Sequence, residues 1–166
     1  MELSVQEIPN ETKWAMAAQG LTGALVAHLN ALYDLLGKEK YREVVRQIWT
    51  PIGEGSAGQI SSLGLKSGDA QSVALAGATM CMCSMGPEYN IEQVESSPDR
   101  TVLKVTQCPW NNRLKEAGIS NDIMTACDAA FWNRFVKALK PDVTMRHGKK
   151  MHLGDPYCEY IFETKK

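Results

Sequence analysis

Residues 89–108 read YNIEQVESSPDRTVLKVTQC, and here the hydrophobic pattern changes its period. Tyr89 to Glu95 and Thr101 to Cys108 read as strands. The polar segment Ser96-Ser97-Pro98-Asp99-Arg100 joins them as a hairpin loop. Upstream the period is helical. Leu21, Leu25, Leu29, Leu32 and Leu36 recur at three- and four-residue steps, so residues 11–36 form one long helix that Gly37 ends. Residues 38–49 make a second helix, with Tyr41, Val44, Val45 and Ile48 on one face, and Pro51 stops it. Residues 53–68 are rich in Gly and Ser and read as a loop. A third helix spans about 69–85, with Asp69 as its cap and Gly86-Pro87 as its end.

Downstream, residues 121–139 return to helix. Ser120 is the N-cap, and Ile123, Cys127, Phe131 and Phe135 are spaced by four. Two further strands, about 142–151 and 157–163, flank the turn Leu153-Gly154-Asp155-Pro156. The order ααα-ββ-α-ββ predicts an α+β fold, with N-terminal helices and a four-stranded antiparallel sheet covered by helices. At 166 residues the chain is expected to be a single domain, 1–166. Within it, residues 11–85 are mainly helical and 86–163 carry the sheet.

Composition narrows the partners. Eighteen basic and nineteen acidic side chains give a net charge of -1, which argues against nucleic acid and anionic membrane. No apolar run reaches a bilayer span, and the acidic, polar start is no signal peptide. Cytoplasmic residence is the expectation, and five cysteines, an odd number, make a poor disulfide framework. The small residues Ala17, Gly20, Ala24, Ala27 and Ala31 line one stripe of the first helix. Internal packing is the expected use of that stripe, and a homodimer through residues 14–36 is the alternative.

Two motifs carry less than their letters suggest. Gly53-Glu54-Gly55-Ser56-Ala57-Gly58 matches G-x-G-x-x-G. That pattern cradles a pyrophosphate only between a strand and a helix, and here a helix and Pro51 precede it. Met80-Cys81-Met82-Cys83-Ser84-Met85 gathers soft ligands. On a helix, however, Cys81 and Cys83 point apart, so a sulfur-rich core end is the better reading. His28 should be partly buried beside the leucine stripe. His147 and His152 lie near the last hairpin.

Three other cysteines occupy distinctive contexts. Cys108 ends a strand before Pro109, where the chain must leave the sheet. Cys127 lies on the apolar face of the 121–139 helix, and Cys158 alternates with Tyr160 and Phe162 on the apolar face of the last strand. Cys127 and Cys158 are therefore expected to be buried and to meet or share a pocket. Asp128 follows Cys127, flanked at four residues by Met124 and Trp132, which places it either at an apolar margin suited to acid–base work or, alternatively, exposed on the helix surface. A thiolate at Cys108 needs a positive neighbour, which Lys104, Arg113 or a histidine must supply. On a regular strand, however, Cys108 shares the face of Lys104 and Thr106, opposite Leu103 and Val105.

Cys108-Pro109-Trp110 after a strand, Cys127-Asp128 in a helix, and Gly154-Asp155 leading to Cys158-Glu159-Tyr160-Ile161-Phe162 occur in this order. Residues of about 75–163 thereby resemble the family of L-2-amino-thiazoline-4-carboxylic acid hydrolase-like proteins. The closing Gly154-x-x-x-Cys158-x-Tyr160 strand also resembles the vinyl-reductase-type small-molecule-binding domain. The first resemblance implies hydrolysis of a cyclic amidine, 2-amino-thiazoline-4-carboxylate, to a carbamoyl-cysteine. It makes Cys108 the nucleophile and Asp128 the acid–base or amidinium-binding group. Lys104 and Arg146 would hold the substrate carboxylate, and Trp110, Cys127 and Cys158 would line the site. The second resemblance implies a non-catalytic binder of hydrophobic ligands. A zinc ion on Cys108, Cys127, Cys158 and His147 is a third possibility; otherwise no cofactor is expected.

Overall fold

The computed structural model describes residues 5–119 and 121–165. After a short 3-10 turn, the chain forms α1 (Asn10–Ser62), α2 (Ala70–Met85), β1 (Asn90–Ser96) and β2 (Arg100–Gln107). There follow α3 (Pro109–Ala117), α4 (Asp122–Leu139), β3 (Val143–His147), a second 3-10 turn at Met151–Leu153, and β4 (Cys158–Thr164). The sheet order is β1-β2-β4-β3, every pair is antiparallel, and the helices pack on the sheet. The expected α+β architecture is the one observed.

Gly37 bends α1 sharply. Its φ of 69° lies where a side chain is disfavoured, and it divides the helix into arms 10–36 and 38–62. Pro51 does not stop the second arm, and residues 53–62 are helical rather than a loop. The reason is tertiary. Gly53, Ala57 and Ile60 are buried, and a Cβ on Gly53 would sit 2.5 Å from the backbone oxygen of Phe131 in α4. Close helix packing outweighs the local cost of an internal proline, about 3 kcal/mol. Gly53 thus serves helix contact, and the glycine motif lies inside a helix with no strand before it.

The first arm also turns differently from expectation. Ala18, Thr22, Val26 and Leu29 face the core, whereas Ala17, Gly20, Ala24, Ala27 and Ala31 are exposed. The small stripe therefore does not pack internally. His28 is exposed as well, with Nδ1 2.6 Å from the Ala24 carbonyl oxygen. Among the described residues, no helix is long and apolar enough to cross a membrane.

α2 begins as expected. The Asp69 carboxylate accepts the Ser72 amide at 2.8 Å and the Ser72 hydroxyl accepts the Asp69 amide at 3.0 Å, a reciprocal cap. That bonding holds the Asp69 carboxyl below its ordinary range. Gly77 lets α2 lie against the Trp132 ring, which a Cβ would meet at 2.9 Å. The N-cap proposed at Ser120 lies outside the described residues.

In the sheet, Leu103 pairs with Tyr160 and Val105 with Cys158. This register gives Cys158, Tyr160 and Phe162 one face, against which Trp132 of α4 packs at ring distances of 5.3 Å from Tyr160 and 6.0 Å from Phe162. β3 ends at His147, earlier than expected, where Gly148 turns the chain toward the second 3-10 turn. Helix α3 was not anticipated. Cys108 is its N-cap and Pro109 its first residue, where a missing amide costs nothing.

Candidate functional site

A cavity of about 240 Å³ lies between both arms of α1, the helices α2 and α4, the start of α3, and Tyr160 of β4. Its walls are almost wholly apolar. Met80, Cys81 and Met85 come from α2, while Met124, Cys127 and Asp128 come from α4. Trp49, Trp110, Phe131, Trp132 and Tyr160 supply aromatic walls. Trp49 meets Trp110 edge-on at 5.4 Å, and Phe131 meets Trp132 perpendicularly at the same distance.

Asp128 is the one charged side chain among the described residues that line this space. Its side chain is only 12% exposed. Behind it, Nε2 of His147 lies 2.9 Å from Oδ2 of Asp128. The ring N–H is not aligned for a regular hydrogen bond, so the contact is an ion-pair distance with poor directionality. The His147 ring also lies 4.6 Å from that of Tyr160, its partner in the β3–β4 register. His152 is near by but separate. It shares a 3.1 Å contact with the Thr125 hydroxyl, and burial pulls its pKa down, with Asp128 opposing.

Cys81, Cys108, Cys127 and Cys158 are buried, and burial disfavours their thiolates. Burial pushes Cys108 up to about 12; the amides of Asn111 and Trp110 pull it back, while Cys158 and Asp128 raise it. Those amides point at the sulfur without closing a capping hydrogen bond. Burial likewise lifts Cys81 and Cys127 to about 12 and raises Cys158. At about 12, a thiol is ionised in roughly one molecule in 10⁵ at pH 7. The cations that could change this are engaged elsewhere. Lys104 reaches Glu92 at 2.7 Å, and Arg113 binds Glu88 and Glu116 at 3.3 and 3.2 Å.

With this geometry in view, the family becomes clear. The model of the L-2-amino-thiazoline-4-carboxylic acid hydrolase family matches residues 17–162. The chain belongs to this family. Two solved structures share its fold. One is the phenol-responsive sensory domain of the transcription activator PoxR with phenol, at 14% identity and a TM-score of 0.57, covering 86% of this chain and 74% of that one. The other is trafficking protein particle complex subunit 3 from Naegleria fowleri, covalently bound to palmitic acid. It shows 16% identity and a TM-score of 0.58, over 95% of this chain and 98% of that one. A search of proteins of curated function finds no match.

Within this family member, Cys108, Trp110, Cys127 and Asp128 do meet in one cavity. Cys108 reaches it because the strand ends at Gln107 and the residue enters α3, so strand alternation no longer governs its direction. Three expected residues do not line the cavity. Cys158 is buried as expected, but its sulfur accepts the Met151 amide at 3.2 Å, outside the cavity wall. Lys104 and Arg146 alternate onto the other face of their strands, where Arg146 lies 3.4 Å from Glu163. Neither can hold a carboxylate in the cavity.

The proposed zinc quartet does not fit. The Cys127 thiol donates to the Ile123 carbonyl at 3.3 Å beside the Tyr41 hydroxyl, Cys158 takes the Met151 amide, and His147 abuts Asp128. Among the described residues, no three His, Cys, Asp or Glu side chains gather as metal ligands. The Asp128–His147 pair and the aromatic walls were missed. His147 shares the inward face of Val143 and Met145, a period-two signal, but nothing local links it to a helix nineteen residues earlier.

Proposed function

We propose that this chain binds a small cyclic amidine in the cavity and opens it hydrolytically, with Asp128 as the acid–base group. One observation carries this reading: a largely covered carboxylate facing an apolar cavity, with His147 at 2.9 Å behind it. His147 engages Oδ2, so Oδ1 is the oxygen left for substrate and water. The apolar walls lower the local dielectric beside Asp128, which strengthens charge interactions there. In the reaction, water adds to the carbon between nitrogen and sulfur and gives one proton to Asp128. The C–S bond then breaks and Asp128 returns that proton to sulfur, while the second proton of the water passes from the added hydroxyl to the ring nitrogen and leaves a urea carbonyl. Cys108 is a wall rather than a nucleophile, because its buried thiol lacks a cation to ionise it. The family description supports hydrolysis, and the cavity supports a small ligand.

The test is turnover of 2-amino-thiazoline and its 4-carboxylate, followed by mass spectrometry of the ring-opened products. Asp128→Asn should lower turnover by about 10²–10⁴, the usual worth of a general acid–base group. Cys108→Ser should keep it within a few-fold. If Cys108→Ser is dead while Asp128→Asn is active, the assignment reverses. A second reading, a carrier or sensor without turnover, is favoured by the apolar walls and the un-ionised thiols. Ligand-induced rise in melting temperature with no product from wild type would select it. The similar sensory domain is described as phenol-responsive, which makes phenol a suitable probe here.

A further inference from the structure

We infer that the cavity selects small organic cations that carry no acid group. This rests on the reading of the cavity as the ligand site, and it departs from the carboxylate-bearing compound in the family description. The described lining contains one carboxylate and no Lys, Arg or His. The two cations that sequence suggests for a substrate carboxylate, Lys104 and Arg146, bind Glu92 and Glu163 away from the cavity. A ligand carboxylate would be stripped of water, left without a partner, and placed in a small space beside Asp128.

A cation meets the opposite conditions. Asp128 offers a carboxylate counter-charge only 12% exposed to water. In the same lining, Trp49 meets Trp110 and Phe131 at interplanar angles of 70° and 76°, and Phe131 meets Trp132 at 90°. Rings set at steep angles to one another have faces pointing in different directions, and an aromatic face attracts an ammonium or amidinium group. The Tyr160 hydroxyl is held well above its ordinary pKa, by burial first and then by Asp128, so this wall stays uncharged. A flat amidinium can donate one N–H to the Oδ1 that His147 leaves open and lay its face on a ring.

The experiment is calorimetric titration of wild type with three ring compounds: protonated 2-amino-thiazoline, its 4-carboxylate, and uncharged thiazolidin-2-one. The expected order of affinity is cation, then neutral, then carboxylate, with the first and last differing by at least about 100-fold, as a buried like-charge contact demands. In Asp128→Asn the advantage of the cation over the neutral compound should fall at least about tenfold. The wild-type series needs no variant, so loss of folding in Asp128→Asn leaves the decision intact. A carboxylate that binds as well as its parent overturns the inference, as does a neutral compound that equals the cation. If the cation binds best but is not opened, the inference stands and hydrolysis fails. If the carboxylate is opened faster, hydrolysis stands and the inference fails. Binding of none of the three at millimolar concentration overturns both.

Discussion

Cys108 and Asp128 share one cavity yet differ in what burial does to their usefulness. A neutral thiol is comfortable among Trp and Met side chains, and burial lifts Cys108 to about 12. A carboxylate there requires a partner, and His147 supplies it. Reactivity at the residue scale follows exposure. Of the five free cysteines, Cys83 is exposed and the other four are buried. Titration of native protein with an aromatic disulfide at pH 8 should show one fast thiol, removed by Cys83→Ser and unaffected by Cys108→Ser. A fast phase that disappears with Cys108→Ser would restore the nucleophile reading.

Elements meet here through glycine as much as through large side chains. On α1, Gly53 and Gly55 are two residues apart and both helical, but their surroundings differ. A Cβ on Gly53 strikes the Phe131 backbone oxygen at 2.5 Å, and backbone cannot step aside as a side chain can. A Cβ on Gly55 meets nothing within 4 Å. Gly53→Ala should therefore destabilise by about 1–3 kcal/mol through overpacking. Gly55→Ala should stabilise by up to about 1 kcal/mol through helix propensity. Urea denaturation of the two variants checks the pair, and equal effects would refute the close α1–α4 contact. The same contact explains why Pro51 and a Gly-rich segment mislead: local propensity points to a loop, and packing against α4 overrules it.

Across the whole molecule, the buried thiols couple stability to alkaline pH. Unfolded cysteines lose their protons near 8.5. Folded Cys81, Cys108 and Cys127 hold theirs to about 12, because burial disfavours the thiolate. Between these values the native state binds more protons than the unfolded one. Stability is thus fully present below about 8.5 and is lost as pH rises toward about 12, at about 1.4 kcal/mol per pH unit for each thiol. Urea midpoints at pH 7.5, 9 and 10.5 should fall progressively, and Cys127→Ala should flatten the slope by one thiol's share. A midpoint constant to pH 10.5 would contradict the burial of these groups.

Period and punctuation carried the elements legible from residues alone. The leucine steps of the first helix, the Asp69 cap, the Gly37 and Gly86 stops, the α4 spacing through Ile123, Cys127, Phe131 and Phe135, and the 89–108 hairpin depend on near neighbours, so local chemistry settles them. So too does the inward face of Cys158, Tyr160 and Phe162, since strand alternation is a local rule. Tertiary structure decided the rest. It carried α1 past Pro51, turned the small-residue stripe outward, and put Lys104 and Arg146 beyond reach of the cavity. It joined Asp128 of α4 to His147 of β3, and it gathered aromatic rings from α1, α3, α4 and β4 into one wall. These contacts link residues far apart in the chain, and their free energy comes from burial that exists only after the helices have docked on the sheet.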